Sequence, residues 1–492
     1  MEKYFNGVVK QMLMGLGSVE NNSFLVCHRG DVSMEHLEAA EQARERTDIY
    51  FAVYEFFGGT VAGAYEPYLS IICDMFRRYR KGKFEDFLEE CDVYYLHRPL
   101  FLSYFHNEVF KREDTILLGE VEYEQERMAN ALEQMLLRLA EECPVAVVLN
   151  NFQFASRSTM ALTNRLISGE NLNIGILLGV NETSVIPEFL KLEWDSICQK
   201  LDDEGRSYHI GNVNQKRNPL LGKKEGGVKV NRETYDKIAQ IVVLMDFEQA
   251  FYLLRDIEHR IKFDNLEVED ETKYNLLLLL MEVSILVQDI SKALEICEDL
   301  EKIQLPGKKL ECSFEQDYLV SMAYMYQGKL PEALSYDRRA LQTAQKLEDE
   351  ERILKAEMME TQIQMSGWYN IFFCAQEVKV SDRLIEKLMK RNLLNHLAYI
   401  YIYAYDNKPE NLAKAYLSGE LPLNFGMGIA LAKKIDNEKL INAAYQKNIM
   451  IAATNGMYEI ALFYLFRTYE AMRNKETVEG GRIYSGAAYN LC

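Results

Sequence analysis

The cysteines of this 492-residue chain show no pairing: nine stand singly, at 27, 73, 91, 143, 198, 297, 312, 374 and 492, with no CxxC and an odd total. That excludes a disulfide framework or a zinc ribbon and points to a reducing compartment. The histidines at 28, 36, 97, 106, 209, 259 and 396 form neither HExxH nor any other short metal spacing, so no metal centre is expected. There is no GxSxG elbow. A long apolar run is also missing: the longest, from Leu276 to Val287, is broken by Glu282 and Ser284 and is too short to span a bilayer. The opening Met-Glu-Lys-Tyr-Phe-Asn has no basic segment followed by an apolar one, so no signal peptide is expected. A soluble cytoplasmic protein without a membrane partner is the expectation.

Positive charge is scarce. Lys and Arg number 56 against 75 Asp and Glu, a formal net charge of −19 and a pI of about 5.0. Such a surface repels phosphate backbones, which argues against nucleic acid as a partner. The densest basic cluster, Lys216-Arg217 with Lys223-Lys224, reads as a solvated loop. Two acidic clusters, Glu89-Glu90 with Asp92 and the run Glu348 to Glu351, read as solvated helix ends.

Hydrophobic residues make up 48% of the chain, enough for the cores of two to four domains at ~100–200 residues each. Up to residue 215, short β-rich runs at Ser23–Cys27, Asp48–Val53, Thr115–Leu118, Val145–Leu149 and Asn173–Gly179 alternate with helical stretches such as Met34–Arg44, Tyr65–Arg80 and Glu122–Glu142. That alternation predicts a parallel sheet covered on both faces. Residues 216–230, rich in Gly, Asn and Lys, read as a linker. From 231 to 492 the pattern is helical and repetitive. Ala250, Ala293 and Ala333 recur at steps of 43 and 40 residues, and Ala461 follows Gly456 in a related unit. The clearest unit, Tyr318–Leu347, has Gly328-Lys329 at a turn, Pro331 opening the next helix, and Ala333 and Ala340 seven residues apart. Small residues at such places let antiparallel helices approach closely, the pattern of a tetratricopeptide-like hairpin repeat. The tail from Gly480 to Cys492 resembles the first helix of a further hairpin, so the array is expected to continue.

Residues 24–40 have the layout of a phosphate-binding loop: an apolar strand, a short turn and a helix. Such a loop needs glycines for close backbone approach, a Lys for the β and γ phosphates, a Ser or Thr for magnesium, and an acidic pair on a second strand. Here the apolar strand Val145–Leu149 runs instead into Asn150-Asn151. Cys27 beside His28 is a nucleophile-and-base arrangement in principle, but a thiol ending a buried strand is ordinary core material. Tyr399, Tyr401, Tyr403 and Tyr405 alternate with Ile400, Ile402 and Ala404 in a helical context, which fits a buried helix, with a peptide-binding groove as the alternative.

In the order of its motifs the N-terminal region resembles the signal-transduction ATPases with numerous domains, AAA-like regulators that often carry tetratricopeptide repeats. Against that family's G-x-x-G-x-G-K-[ST] loop, His28 stands at the first Gly, Asp31 at the second and Ser33 at the third, Met34 replaces the Lys and Glu35 the Ser or Thr. The segment Gly58 to Tyr68 resembles the family's Pro-Tyr ahead of a helix. The segment Val147 to Thr159 is similar to its apolar strand, Asp-Asp and Leu-Gln-Trp-Ala-Asp, with Asn150, Asn151, Phe154 and Ser156 at the altered positions. Asn181 falls where the family carries a sensor residue. The resemblance implies an AAA-type α/β domain followed by an all-α tetratricopeptide-like solenoid. The departures imply a pseudo-ATPase: without the Lys and the acidic pair, several charge-assisted contacts of ~1.5–3 kcal/mol each are gone, and Glu35 opposes phosphate. No cofactor is expected. The implied function is a non-catalytic signalling scaffold that binds a protein or peptide through its repeats, with an output domain (GGDEF or helix-turn-helix) lying beyond the chain. The alternatives are an ADP- or ATP-binding switch without efficient hydrolysis and a stand-alone adaptor.

Overall fold

The computed structural model describes residues 2–20, 22–29, 38–108, 121–212, 230–366, 378–406 and 408–472. The chain divides into two compact units, Met1–Lys111 with Val121–Val283, and Arg112–Glu120 with Ser284–Cys492.

The first unit contains, in order, α1 (Glu2–Gly15), β1 (Ser23–Arg29), α2 (Glu38–Arg44), β2 (Tyr50–Glu55), α3 (Tyr68–Tyr79), α4 (Phe84–Glu90), α5 (Arg98–His106), α6 (Val121–Glu142), β3 (Val145–Asn150), α7 (Arg157–Ser168), β4 (Ile174–Asn181), α8 (Lys191–Asp203), β5 (Ser207–Asn212), α9 (Arg232–Val243) and α10 (Phe247–Phe263). The helix α11 (Asp270–Leu286) follows. The strands form a five-stranded sheet in the order β2-β3-β4-β1-β5, parallel at every pairing. The apolar runs of β3 and β4 take the centre, where both faces are covered, and their residues are buried almost throughout. The edge strand β5, Ser-Tyr-His-Ile-Gly-Asn, has only alternating apolar residues and carries no such signal in the sequence. The expected strand Thr115–Leu118 lies outside the described residues, as do the basic loop at 216–224 and the tail from Gly480.

Alternation along the strands sorts side chains to two faces. On one, Phe24 and Val26 of β1, Ala146 and Val148 of β3 and Leu177 of β4 pack with Phe5, Val8, Val9 and Met12 of α1 and Ala39 and Ala40 of α2. The helix α8 packs on β1 and β5 and brings Asp202 near Cys27 on the other face; α7 and α6 continue that layer. The adjacent strands β1 and β4 therefore lead to helices on opposite faces. In a parallel sheet this reversal opens a crevice at the carboxyl ends of the two strands, the usual place for a ligand.

The second unit holds α12 (Ile290–Leu300), α13 (Lys309–Tyr326), α14 (Leu330–Leu347), α15 (Glu350–Ser366), α16 (Asp382–Lys390), α17 (Leu394–Tyr403), α18 (Pro409–Ser418), α19 (Leu423–Lys434), α20 (Glu438–Thr454) and α21 (Tyr458–Met472). The repetition is sharpest in the turns. Met245, Gln288, Gly328, Asn392, Asp436 and Gly456 all have positive φ, between 54° and 73°. The N–H of the next residue, at Asp246, Asp289, Lys329, Leu393, Asn437 and Met457, donates to the carbonyl five residues back. This is the Schellman closure of one helix, and the same residue opens the following helix. Ala250, Ala293, Ala333 and Ala461 each lie four residues past such a turn and are fully buried, so the recurring small residues do mark helix contacts. The tyrosine stripe is helical: Tyr401 and Tyr403 sit on α17 and belong to the core of this unit. Gly428 of α19 lies against α17, where a β-carbon would come within 2.6 Å of Ile402 Cγ1 and 3.0 Å of the Ala398 carbonyl oxygen.

Candidate functional site

At the switch point between β1 and β4 the last residues of the two strands lie side by side. His28 pairs in register with Asn181 on one side and Ile210 on the other. Its carbonyl accepts the Glu182 N–H at 2.9 Å. The Glu182 carboxylate bridges two neighbours: Oε2 accepts from Arg29 Nε at 3.2 Å, and Oε1 lies 2.8 Å from Nδ1 of His209 on β5. The His209 contact, with Arg29 behind it, outweighs desolvation and holds the Glu182 carboxyl below its ordinary range. The carboxylate thus engages the Arg29 guanidinium that an anion here would otherwise pair with.

His28 itself is fully buried, with its ring edge-on to Phe5 of α1 at 6.1 Å. Asp31, Ser33, Met34 and Glu35 lie outside the described residues. Asn150 ends β3, fully buried, and donates through Nδ2 to Glu55 Oε1 at 3.4 Å, so a carboxylate reaches this strand end from the neighbouring β2. Asn151 follows in the left-handed region, with φ of 54°, which Asn tolerates better than most residues. Asn181 closes an Asx turn on itself, its Oδ1 accepting the N–H and the hydroxyl of Thr183 at 3.1 and 2.8 Å. Its backbone N–H donates to Gln153 Oε1 at 3.2 Å, which ties the end of β4 to the turn after β3. The fold thus gathers His28, Asn150, Asn151 and Asn181 along one sheet edge, together with Arg29, Glu55, Gln153, Glu182 and His209, which sequence reasoning missed. No motif flags Glu182 or His209, because their relation to β1 exists only through strand pairing.

The segment before α3 is clamped to α7. Tyr65 N donates to Ser158 Oγ at 3.1 Å, Thr159 Oγ1 donates to the Glu66 carbonyl at 2.8 Å, and Tyr68 and Thr163 hydroxyls lie 2.8 Å apart. Ser156 caps α7 by accepting from Thr159 N. Phe154 lies over Gly58, where a β-carbon would stand 3.0 Å from its ring.

A second junction joins the α/β part of this unit to its first helical pair. Asp246 sits at the Schellman turn between α9 and α10 and is 2% exposed. Its Oδ1 accepts from Gln249 N at 3.4 Å, capping α10, while Oδ2 accepts from Ser158 N at 2.8 Å in the first turn of α7. One carboxylate therefore faces two helix N-termini, whose dipoles both favour negative charge. Burial raises its pKa, and the Ser158 contacts oppose that rise. Glu248 reinforces the junction, accepting from Arg157 Nη1 at 3.3 Å and Gln125 Nε2 at 2.9 Å.

No protein-family model and no curated protein matches the chain. One solved structure is similar to it. It is the crystal structure of a signal transduction ATPase with numerous domains (STAND) protein with a tetratricopeptide repeat sensor from Pyrococcus horikoshii, 12% identical, with 96% of this chain and 83% of that chain covered at a TM-score of 0.35. No helix among the described residues is long and apolar enough to cross a membrane.

Proposed function

We propose that the chain is a non-catalytic signalling scaffold: an AAA-type pseudo-ATPase domain joined to tetratricopeptide-like repeats that engage a protein or peptide, forming the input half of a cytoplasmic regulator. The observation that carries this reading is the neutral pair Asn150-Asn151 at the end of β3, since two amides add no negative charge to a magnesium site. At the neighbouring strand ends Glu182 is ion-paired to Arg29 and hydrogen-bonded to His209, so the guanidinium there is already engaged by a carboxylate. For the helical part, support comes from α21, which exposes Tyr458, Leu462, Phe466 and Tyr469 at helical spacing along one face. An apolar stripe of that kind marks an interaction surface more often than a solvated one.

Thermal unfolding of the whole chain with Mg-ATP or Mg-ADP tests the pseudo-ATPase reading. A ligand present at 100 times its Kd stabilises by about 2.7 kcal/mol, whereas one with Kd above the millimolar range contributes under about 0.5 kcal/mol at 1 mM. No shift in Tm at 1 mM nucleotide is expected. A rise of several degrees at sub-millimolar concentration, confirmed by calorimetric titration, overturns the reading in favour of a nucleotide-binding switch.

A further inference from the structure

We propose that Cys27, Glu182 and His209 form a zinc-binding site at the carboxyl edge of the sheet. Cys27 on β1 and His209 on β5 are register partners in adjacent parallel strands, so their side chains leave the same face. Glu182 is the first residue past β4, on the other side of β1. The Cys27 Sγ, a Glu182 carboxylate oxygen and a His209 ring nitrogen all lie within 4.8 Å of one another. At zinc bond lengths of 2.0–2.3 Å, tetrahedral ligands stand about 3.3–3.6 Å apart. Closing the set therefore takes movements of about 1 Å, by side chains free to make them: His209 is 67% exposed and Glu182 26%.

A Glu182–His209 hydrogen bond accounts for two of these residues without a metal. The buried Cys27 thiol adds a third donor beside them. Three chemically different donors, sulfur, nitrogen and oxygen, converge from β1, β5 and the residue just past β4, and this mixed set suits Zn²⁺ better than the all-oxygen preference of Mg²⁺ or Ca²⁺. Arg29 supports the arrangement. By bonding Glu182 Oε2 it leaves Oε1 turned toward His209 and fixes the carboxylate as a single-oxygen ligand. On binding, the metal replaces the hydrogen bond between His209 and Glu182, a neutral imidazole keeps its one proton on Nε2, and the Cys27 thiol proton passes to solvent. Three protein ligands leave the fourth position open on the exposed side of His209. The ion would pin the ends of β4, β1 and β5 together beside the crevice, a place where metal occupancy can be read out as a conformational signal. The inference is independent of the nucleotide reading, because its test contains no nucleotide.

Titration of the reduced, metal-free full chain with Co²⁺, followed by competition with Zn²⁺, decides the matter. One equivalent of Co²⁺ is expected to give an intense tetrahedral visible spectrum and a thiolate-to-metal charge-transfer band, both displaced by Zn²⁺. Cys27→Ser is expected to abolish the charge-transfer band, while Cys198→Ser leaves it intact. The exposed changes His209→Gln and Glu182→Gln, which carry little folding risk, are expected to weaken Zn²⁺ binding by at least about 10–100-fold. A Co²⁺ complex with no charge-transfer band, a band that survives Cys27→Ser, or unchanged affinity in His209→Gln and Glu182→Gln overturns the proposal.

Discussion

Replacing Asp246 by Ala should cost more than the loss of an ordinary helix cap, because this carboxylate serves two helices at once. Its Oδ1 caps α10 through Gln249 N, and Oδ2 holds Ser158 N in the first turn of α7. Loss of the α10 cap costs about 0.5–2 kcal/mol. The Ser158 N–H then stays buried without its acceptor, which costs about 1–3 kcal/mol more. Desolvation of the carboxylate, which raises its pKa, offsets part of this. A net loss of about 2–4 kcal/mol is expected, near the upper range for single substitutions. The internal control is Ser381, which caps α16 through Leu384 N at 3.2 Å; Ser381→Ala should cost about 1 kcal/mol. With two compact units the unfolding need not be two-state, so denaturant melts should be paired with hydrogen exchange resolved at Ser158 and Gln249. Asp246→Ala is expected to speed exchange at both amides. The sign with pH follows from the raised folded-state pKa: the stability this carboxyl contributes is fully present below the unfolded value and declines as pH rises through the folded one. The Ala penalty should therefore be larger near pH 4 than near pH 8. Equal costs for Asp246→Ala and Ser381→Ala, with exchange at Ser158 unchanged, would refute the double-cap reasoning.

Two further substitutions probe the helical unit. Asp337 on α14 is fully buried, and burial, reinforced by Glu360, pushes its carboxyl up from 3.8 to about 8. The folded state thus holds a proton that the unfolded state releases, so stability should fall as pH rises from about 4 to about 8. At 1.36 kcal/mol per pKa unit the ceiling is roughly 6 kcal/mol, and relaxation around the charge should reduce it to about 2–4 kcal/mol; Asp337→Asn should flatten the pH dependence of the melting temperature and be the more stable form at pH 8. Gly428→Ala should destabilise despite the roughly 1 kcal/mol helix-propensity gain, because the new methyl meets the backbone carbonyl of Ala398 as well as Ile402; a net loss of about 1–2 kcal/mol in denaturant unfolding is expected, and a gain would mean that α17 and α19 separate freely.

Much of the architecture was legible because it rests on local and periodic signals. The uninterrupted apolar runs at Val145–Leu149 and Ile174–Leu178 could serve only as buried strands of a parallel sheet, and they are its centre. The spaced alanines at 250, 293 and 333 marked helix contacts because close packing tolerates few other residues there, and all three are fully buried. Asp246 and Asp289 were legible in principle as Asx residues just ahead of apolar helices. The edge strand β5 was not legible, since Tyr208 and Ile210 alone alternate too briefly to be told from a loop. Nor was the double duty of Asp246, which depends on α7 arriving from residues about ninety positions earlier. The candidate site divides along the same line. The sequence by itself determined that β3 runs into two neutral amides, Asn150 and Asn151, because residue identity alone sets formal charge. Only the tertiary structure decided what gathers at the neighbouring strand ends. Cys27, Glu182 and His209 are far apart along the chain, and parallel pairing of β4, β1 and β5 brings them within 4.8 Å. Strand order and register, which set that proximity, are properties of the whole sheet, and no local stretch of sequence encodes them.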